Sequence, residues 1–191
     1  MKLMPMVPAL VLAALPVLVS AERHAIDVDR SRVTVRVFKS GVFSVFADDH
    51  VITAPIAGGY LEDEPTLGIE IHFIPRQMRV TDTGLSPENR ETVQTRMLGS
   101  EVLDADRFPD VWFRSTAVEV IDRGRWLVRG NLTLHGQTRS VAVVAIYENG
   151  NYRGSATLRQ RDFGITPISI AGGAVKVKDE LRIEFDISLV E

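Results

Sequence analysis

Asp48-Asp49-His50 is the densest group of side chains in the chain that could move a proton or hold a metal ion. A neutral imidazole and ionised carboxylates are ordinary ligands for divalent metals, and the same groups can act as general acid and base. A metal site needs three or four convergent ligands, and beyond this triplet the sequence offers only His72 or His135. The competing reading is a polar turn between two apolar segments, and on ligand number it is the stronger. His135 falls in His135-Gly136-Gln137-Thr138, where a turn residue satisfied by nearby backbone is favoured over a base. Arg161 and Asp162 could pair inside a loop that closes one end of a sheet, with Phe163 plugging the interior or touching a ligand. No G-x-S-x-G, H-E-x-x-H or G-x-x-x-x-G-K motif occurs, so the chemistries those motifs define find no support. No catalytic residue, metal or cofactor is assigned.

The elements that must position these residues are strands. Residues 126–147, WLVRGNLTLHGQTRSVAVVAIY, place Trp126, Val128, Leu132 and Leu134 on one face and Arg129, Asn131 and Thr133 on the other. A Gly-containing turn follows, then a second apolar alternation through Val141, Val143 and Ala145. Period two with a short connection predicts an antiparallel hairpin. Residues 31–38 alternate as cleanly, with Val33, Val35 and Val37 opposed to Thr34 and Arg36. Strands are also predicted over 55–61, 67–74, 111–121 and 152–160, the last entered through the Asn149-Gly150 turn. Residues 174–178 and 181–190 read as a terminal hairpin with Leu181, Ile183, Phe185, Ile187 and Leu189 on one face. Residues 39–52 break the alternation at Gly41 and suit a short helix or an apolar plug. One helix is predicted, from an N-cap at Ser86 and Pro87 at its first position to Leu98, with Gly99 ending it. Val93 and Met97 would face the sheet and Arg90 and Arg96 the solvent. The fold class that results is mainly β: a single antiparallel barrel of about eight strands with one α-helix.

Composition narrows the setting. Residues 1–21 carry only Lys2 as a charged group, then an apolar run interrupted by Pro5, Pro8 and Pro16 and ended by Val19-Ser20-Ala21. That pattern predicts a signal peptide cleaved before Glu22 and a periplasmic protein; a membrane anchor would need ~20 uninterrupted apolar residues. Removing 21 of 191 residues leaves 170, enough for one domain over 22–191, and takes the net charge from −3 to −4. No basic tract points to nucleic acid. The chain has no cysteine, which excludes disulfides and a lipid anchor through an N-terminal Cys. The aromatic set, including Phe43, Phe46, Phe73, Phe113, Trp126, Phe163 and Phe185, exceeds what the corners of a small barrel require. If the barrel is not filled by them, they line an apolar tunnel.

Phe108–Thr116 (FPDVWFRST), Gly130–Val141 (GNLTLHGQTRSV) and Arg161–Ile165 (RDFGI) together resemble the signatures of the YceI-like lipid/polyisoprenoid-binding proteins, in order and spacing, across essentially the whole predicted mature chain. The resemblance implies a lipocalin-like antiparallel barrel with a helix, export to the periplasm, and a tunnel holding an isoprenoid or fatty-acyl amphiphile. It carries over no catalytic residues. Phe113 and the 132–134 strand fall at its barrel positions, and Phe163 in the loop near one end. Residues 38–50 depart from the usual pattern, a His in the first long strand followed by G-x-F, and mark a rearranged, more apolar segment.

The expected function is therefore an exported binding protein, not an enzyme, that buries a lipid tail against Phe43, Phe46, Phe73, Met97, Phe113, Trp126, Leu132, Phe163 and Phe185. Asp48, His50 and Arg161 are the candidate polar groups at its rim. The alternatives are a lipid- or quinone-modifying enzyme using Asp48, Asp49 or His50, and a solid barrel that binds a periplasmic protein. An exposed edge strand could support a homodimer. No nucleic-acid partner and no membrane span after signal cleavage are expected.

Overall fold

Side chains that alternate between apolar and polar along strands such as residues 32–37 and 181–187 favour a sheet with one dry and one wet face. In the computed structural model, which describes residues 22–40, 49–63, 67–170 and 175–190, twelve strands meet in one antiparallel sheet. They are β1 (Arg23–Ala25), β2 (Arg32–Ser40), β3 (His50–Thr53), β4 (Ile56–Glu62), β5 (Gly68–Phe73), β6 (Arg79–Val80), β7 (Val111–Asp122), β8 (Arg125–Leu134), β9 (Gln137–Glu148), β10 (Asn151–Arg159), β11 (Ser169–Ile170) and β12 (Val175–Ile187). The spatial order is β1-β4-β5-β7-β8-β9-β10-β12-β2-β3-β6, with β11 added beside β12. The single α-helix among the described residues, α1, runs Pro87–Leu98.

The sheet curls on itself. Ile26, just past β1, bridges to Leu189, just past β12. Backbone bonds from Asp27 N to Ser188 O at 3.0 Å and from Val190 N to Ala25 O at 2.9 Å close that seam. At the other side Ala54-Pro55 carries the chain from β3, which pairs with β2, into β4, which pairs with β5. Helix α1 lies against the short edge strand β6: the Gln94 side-chain amide accepts from Val80 N at 2.8 Å and donates to Met78 O at 2.9 Å. The helix thus occupies an edge that would otherwise expose unpaired backbone groups.

Most of the predicted elements are present. The Ser86 hydroxyl accepts from Asn89 N, Pro87 opens the helix and Gly99 ends it. Met97 is buried and Val93 packs against the core, as the four-residue spacing requires. The His135-Gly136 and Asn149-Gly150 turns both have positive φ at each residue, the geometry of tight hairpins.

Three expectations need correction. The strand count is twelve rather than about eight, because β1, β6 and β11 are too short to show alternation and β3 begins inside a segment read as a helix or plug. The predicted terminal hairpin is a single strand, β12, with a bulge between Val177 and Leu181. Asp179-Glu180 falls where the turn of that hairpin is expected, but Lys178 and Asp179 bind the neighbouring loop instead. Lys178 O accepts from Gln160 Nε2 at 2.8 Å, and Asp179 Oδ1 accepts from Arg161 N at 3.0 Å. Arg90, expected in solvent, is half-buried and donates to Leu85 O at 3.3 Å.

Candidate functional site

Inward-facing residues of the curled sheet line two apolar cavities of about 240 and 320 Å³. The smaller is walled mainly by β4, β5, β7, β8, β9, β10 and β12, the larger mainly by β2, β3, β8, β12, α1 and the segment after it. Val33, Phe73, Leu132, Leu158 and Ile183 line both, so the two compartments adjoin, and these five side chains form the waist between them. Apolar walls with a few polar groups at the margins are the usual make-up of a small-molecule site.

Two glycines create part of this space. A Cβ at Gly130 would lie 2.6 Å from the Phe113 ring, and one at Gly154 would lie 2.5 Å from the Phe185 ring and 2.3 Å from Val144 O. Both rings line the smaller cavity. The missing side chains on β8 and β10 let the rings lie down against the strands, where any larger residue would push them into the interior.

The polar margins differ in sign. The smaller compartment has Glu62 and Asp63 in its wall; the larger has His50, Arg96 and Lys176 with Thr92 and Gln160. Glu62 pairs with Arg23 at 2.7 Å and Asp63 with His24 at 2.8 Å. His50 places Nδ1 2.6 Å from Oδ2 of Asp82, which is buried, while Oδ1 of Asp82 takes the Val51 N–H. The other histidines serve elsewhere. His72 stacks on Trp112 with ring centroids 4.0 Å apart and meets Asp110 at 2.7 Å, and His135 Nδ1 lies 3.1 Å from Phe163 O. No three His, Asp or Glu side chains converge as a metal ion would need among the described residues.

The predicted site residues therefore divide. Phe73 and Leu132 stand at the waist, Phe113, Trp126 and Phe185 in the smaller compartment, and Met97 and His50 in the larger. Phe163 is not part of either wall. It is 2% exposed and fills the turn Gln160–Phe163 beneath the 135–136 hairpin. Arg161 is exposed; its backbone N–H donates to Asp179 and its carbonyl accepts from Gly164 N. Phe43, Phe46 and Asp48 lie outside the described residues. Asp82, Arg96 and Lys176 are not marked as site residues by the sequence: an Asp between threonines reads as a turn, and basic residues spaced along a helix or strand read as its solvent face.

Near the acidic end, Tyr152 sits with its ring centroid 5.6 Å from that of Trp126 and 4.9 Å from that of Tyr147. Burial pushes its hydroxyl pKa above the ordinary value, and the Tyr147 and Asp63 charges push the same way.

A curled antiparallel sheet with a wet exterior and an apolar, partly enclosed interior is the architecture of barrels that hold small molecules rather than of solid sandwiches. The family comparison gives it a name: the YceI-like domain model matches residues 25–189, and the chain belongs to that family. Among curated proteins, a UPF0312 protein of Vibrio cholerae is 29% identical over 115 residues, covering 54% of this chain and 58% of the relative. A UPF0312 protein of Shewanella putrefaciens is 32% identical over 99 residues, covering 46% and 52%. The matched stretch thus spans little more than half of these relatives. Among solved structures, Burkholderia cenocepacia BcnA superposes with a TM-score of 0.63 at 17% identity, over 87% of this chain and 99% of that one. A polyisoprenoid binding domain from Saccharophagus degradans gives 0.57 at 12% identity, over 86% and 95%. At these identities the structures establish the common fold.

Proposed function

We propose that the protein is an exported carrier or sequestering protein that holds an amphiphilic isoprenoid or other long-chain lipid in its interior. The carrying observation is the waisted apolar interior, whose two compartments share five side chains and end at charged residues. Each methylene moved from water into such a space contributes about 0.8 kcal/mol, so a long tail supplies the affinity and the head needs only to reach a margin. The Saccharophagus neighbour, described as a polyisoprenoid binding domain, supports the choice of ligand. The leader-like residues 1–21 support export to the periplasm.

The test is native mass spectrometry of the protein recovered from a bacterial periplasm, followed by extraction of released lipid. The reading predicts an amino terminus at Glu22 and a stoichiometric adduct that releases a prenyl or acyl chain. A bare mass that also refuses added long-chain lipid would overturn the binding reading. Retention of residues 1–21 in the cytoplasmic fraction would overturn export.

A further inference from the structure

Large apolar side chains left in water are gathered at one end of the sheet. Among the described residues five are exposed, from 40% for Val28 to 64% for Val120, the others being Ile121, Tyr147 and Val190. They come from four separate stretches. Val120 and Ile121 precede the β7–β8 turn, Tyr147 precedes the β9–β10 turn, Val190 follows β12, and Val28 lies between β1 and β2. The register sets these stretches side by side: Asp122 pairs with Arg125, Arg125 with Ile146, Ile146 with Arg153, Arg153 with Asp186, and Asp186 with Arg32. We infer that this end of the protein docks on the surface of a phospholipid bilayer, with Val120, Ile121 and Tyr147 entering its interfacial layer. The inference goes beyond the carrier reading and stands whatever the interior holds.

Continuity, residue type and charge select a bilayer as the occupant. Val120 stands opposite Trp126 and Tyr147 opposite Tyr152. Both exposed side chains therefore share the face on which Trp126 and Tyr152 line the smaller compartment. The aromatics form a path from that wall to the tip, the Tyr152 ring lying 5.6 Å from Trp126 and 4.9 Å from Tyr147. Trp and Tyr, with an apolar body and a polar end, are the residue types that settle at a membrane–water interface. The two hairpin turns beside the patch carry Arg123 and Arg125 together with Asp122 and Glu148, so their charges balance. A balanced tip suits zwitterionic head groups and leaves the attraction to burial of the apolar side chains. A second copy of the chain fits less well. A stable protein interface takes about 20–30 residues a side, whereas this patch is a few side chains on the tips of turns.

The experiment is flotation of the protein recovered from a bacterial periplasm with phosphatidylcholine vesicles. The wild type should float with them in low and high salt alike, because no net charge carries the contact. Val120→Ser/Ile121→Ser should bind about tenfold more weakly, and Tyr147→Ser should weaken binding in the same direction. These positions are exposed, so a thermal melt close to that of the wild type should report an intact fold. Gln137→Ser, at the β8–β9 turn of the opposite end, should float as the wild type does. All forms share one amino terminus, so residues 1–21 cancel in the comparison. A wild type that stays in the buffer would overturn the inference, while its uptake of a free fluorescent long-chain lipid would leave the carrier reading standing. Equal flotation of the wild type and the double variant would overturn the placement at this end. Flotation confined to phosphatidylglycerol vesicles and abolished by salt would overturn apolar docking in favour of a charged contact. A dimer in solution that the double variant dissolves would assign the patch to a second copy and overturn the inference as well.

Discussion

Tyr152 shows how a single residue reports the state of the interior. Its ring lines the smaller compartment beside Trp126, and burial raises its hydroxyl pKa above 10.0, with Tyr147 and Asp63 adding to the rise. The unfolded chain releases this proton near its ordinary value, whereas the folded chain retains it to higher pH. Between the two values the folded state binds more protons, so stability falls as pH rises. The contribution is complete below pH 10.0 and is lost as pH climbs through the folded value. Urea midpoints measured from about pH 9 to 11 should fall for the wild type and fall less steeply for Tyr152→Phe. Equal slopes would mean that the hydroxyl is not held out of water.

At the scale of elements, the helix depends on a side chain that imitates a strand. Gln94 offers β6 one acceptor and one donor, at 2.8 and 2.9 Å, in place of a neighbouring backbone. Gln94→Ala would leave the Val80 N–H and the Met78 carbonyl without these partners. The cost for losing such a pair is about 1–3 kcal/mol. Amide exchange should quicken at Val80 and through α1 while the β7–β8–β9 hairpins stay protected. Unchanged exchange at Val80 would show that the contact does not hold the helix. This element was legible in the sequence only by half. Ser86, Pro87, Leu98 and Gly99 give the ends of α1, because capping is local chemistry, but nothing local says that residue 94 will meet residues 78 and 80. The same division runs through the sheet. Alternation exposes β2, β7, β8 and β9, since their dry and wet faces are written in consecutive residues. The two-residue β6 and β11 have no period to detect, and Lys178-Asp179-Glu180 has the composition of a turn while serving as a bulge. The polar residues about the larger cavity were hidden for a related reason: Arg96 and Lys176 line one cavity, and Asp82 reaches His50, only once the register of β12 on β2 and the seat of α1 are fixed. Phe163 illustrates the converse, a residue prominent in its motif whose place is beneath a hairpin rather than in the cavity wall.

Across the whole molecule, the exterior and the interior follow different rules. Outside, cross-strand pairs such as Arg36–Glu184 at 2.9 Å, Arg114–Glu70 at 2.6 Å and Arg153–Asp186 at 2.8 Å keep the sheet wet. Exposed pairs of this kind contribute about 0–1 kcal/mol each, so they fix solubility and register more than stability. Inside, the five shared side chains make the waist the place where one long compartment could become two short ones. Leu158 is well suited to test this, since it lines both cavities and faces Leu181 across the β10–β12 pair. Leu158→Trp adds bulk at the waist at a cost of about 1–3 kcal/mol in packing, which a thermal melt of the variant would register. A ladder of prenyl alcohols of increasing length, read by native mass spectrometry, should bind the wild type more tightly with each added unit. In the variant the gain should stop at the length that fills one compartment. If the variant and the wild type accept the same lengths with the same gain per unit, the tail does not pass the waist, and the two cavities act as separate sites.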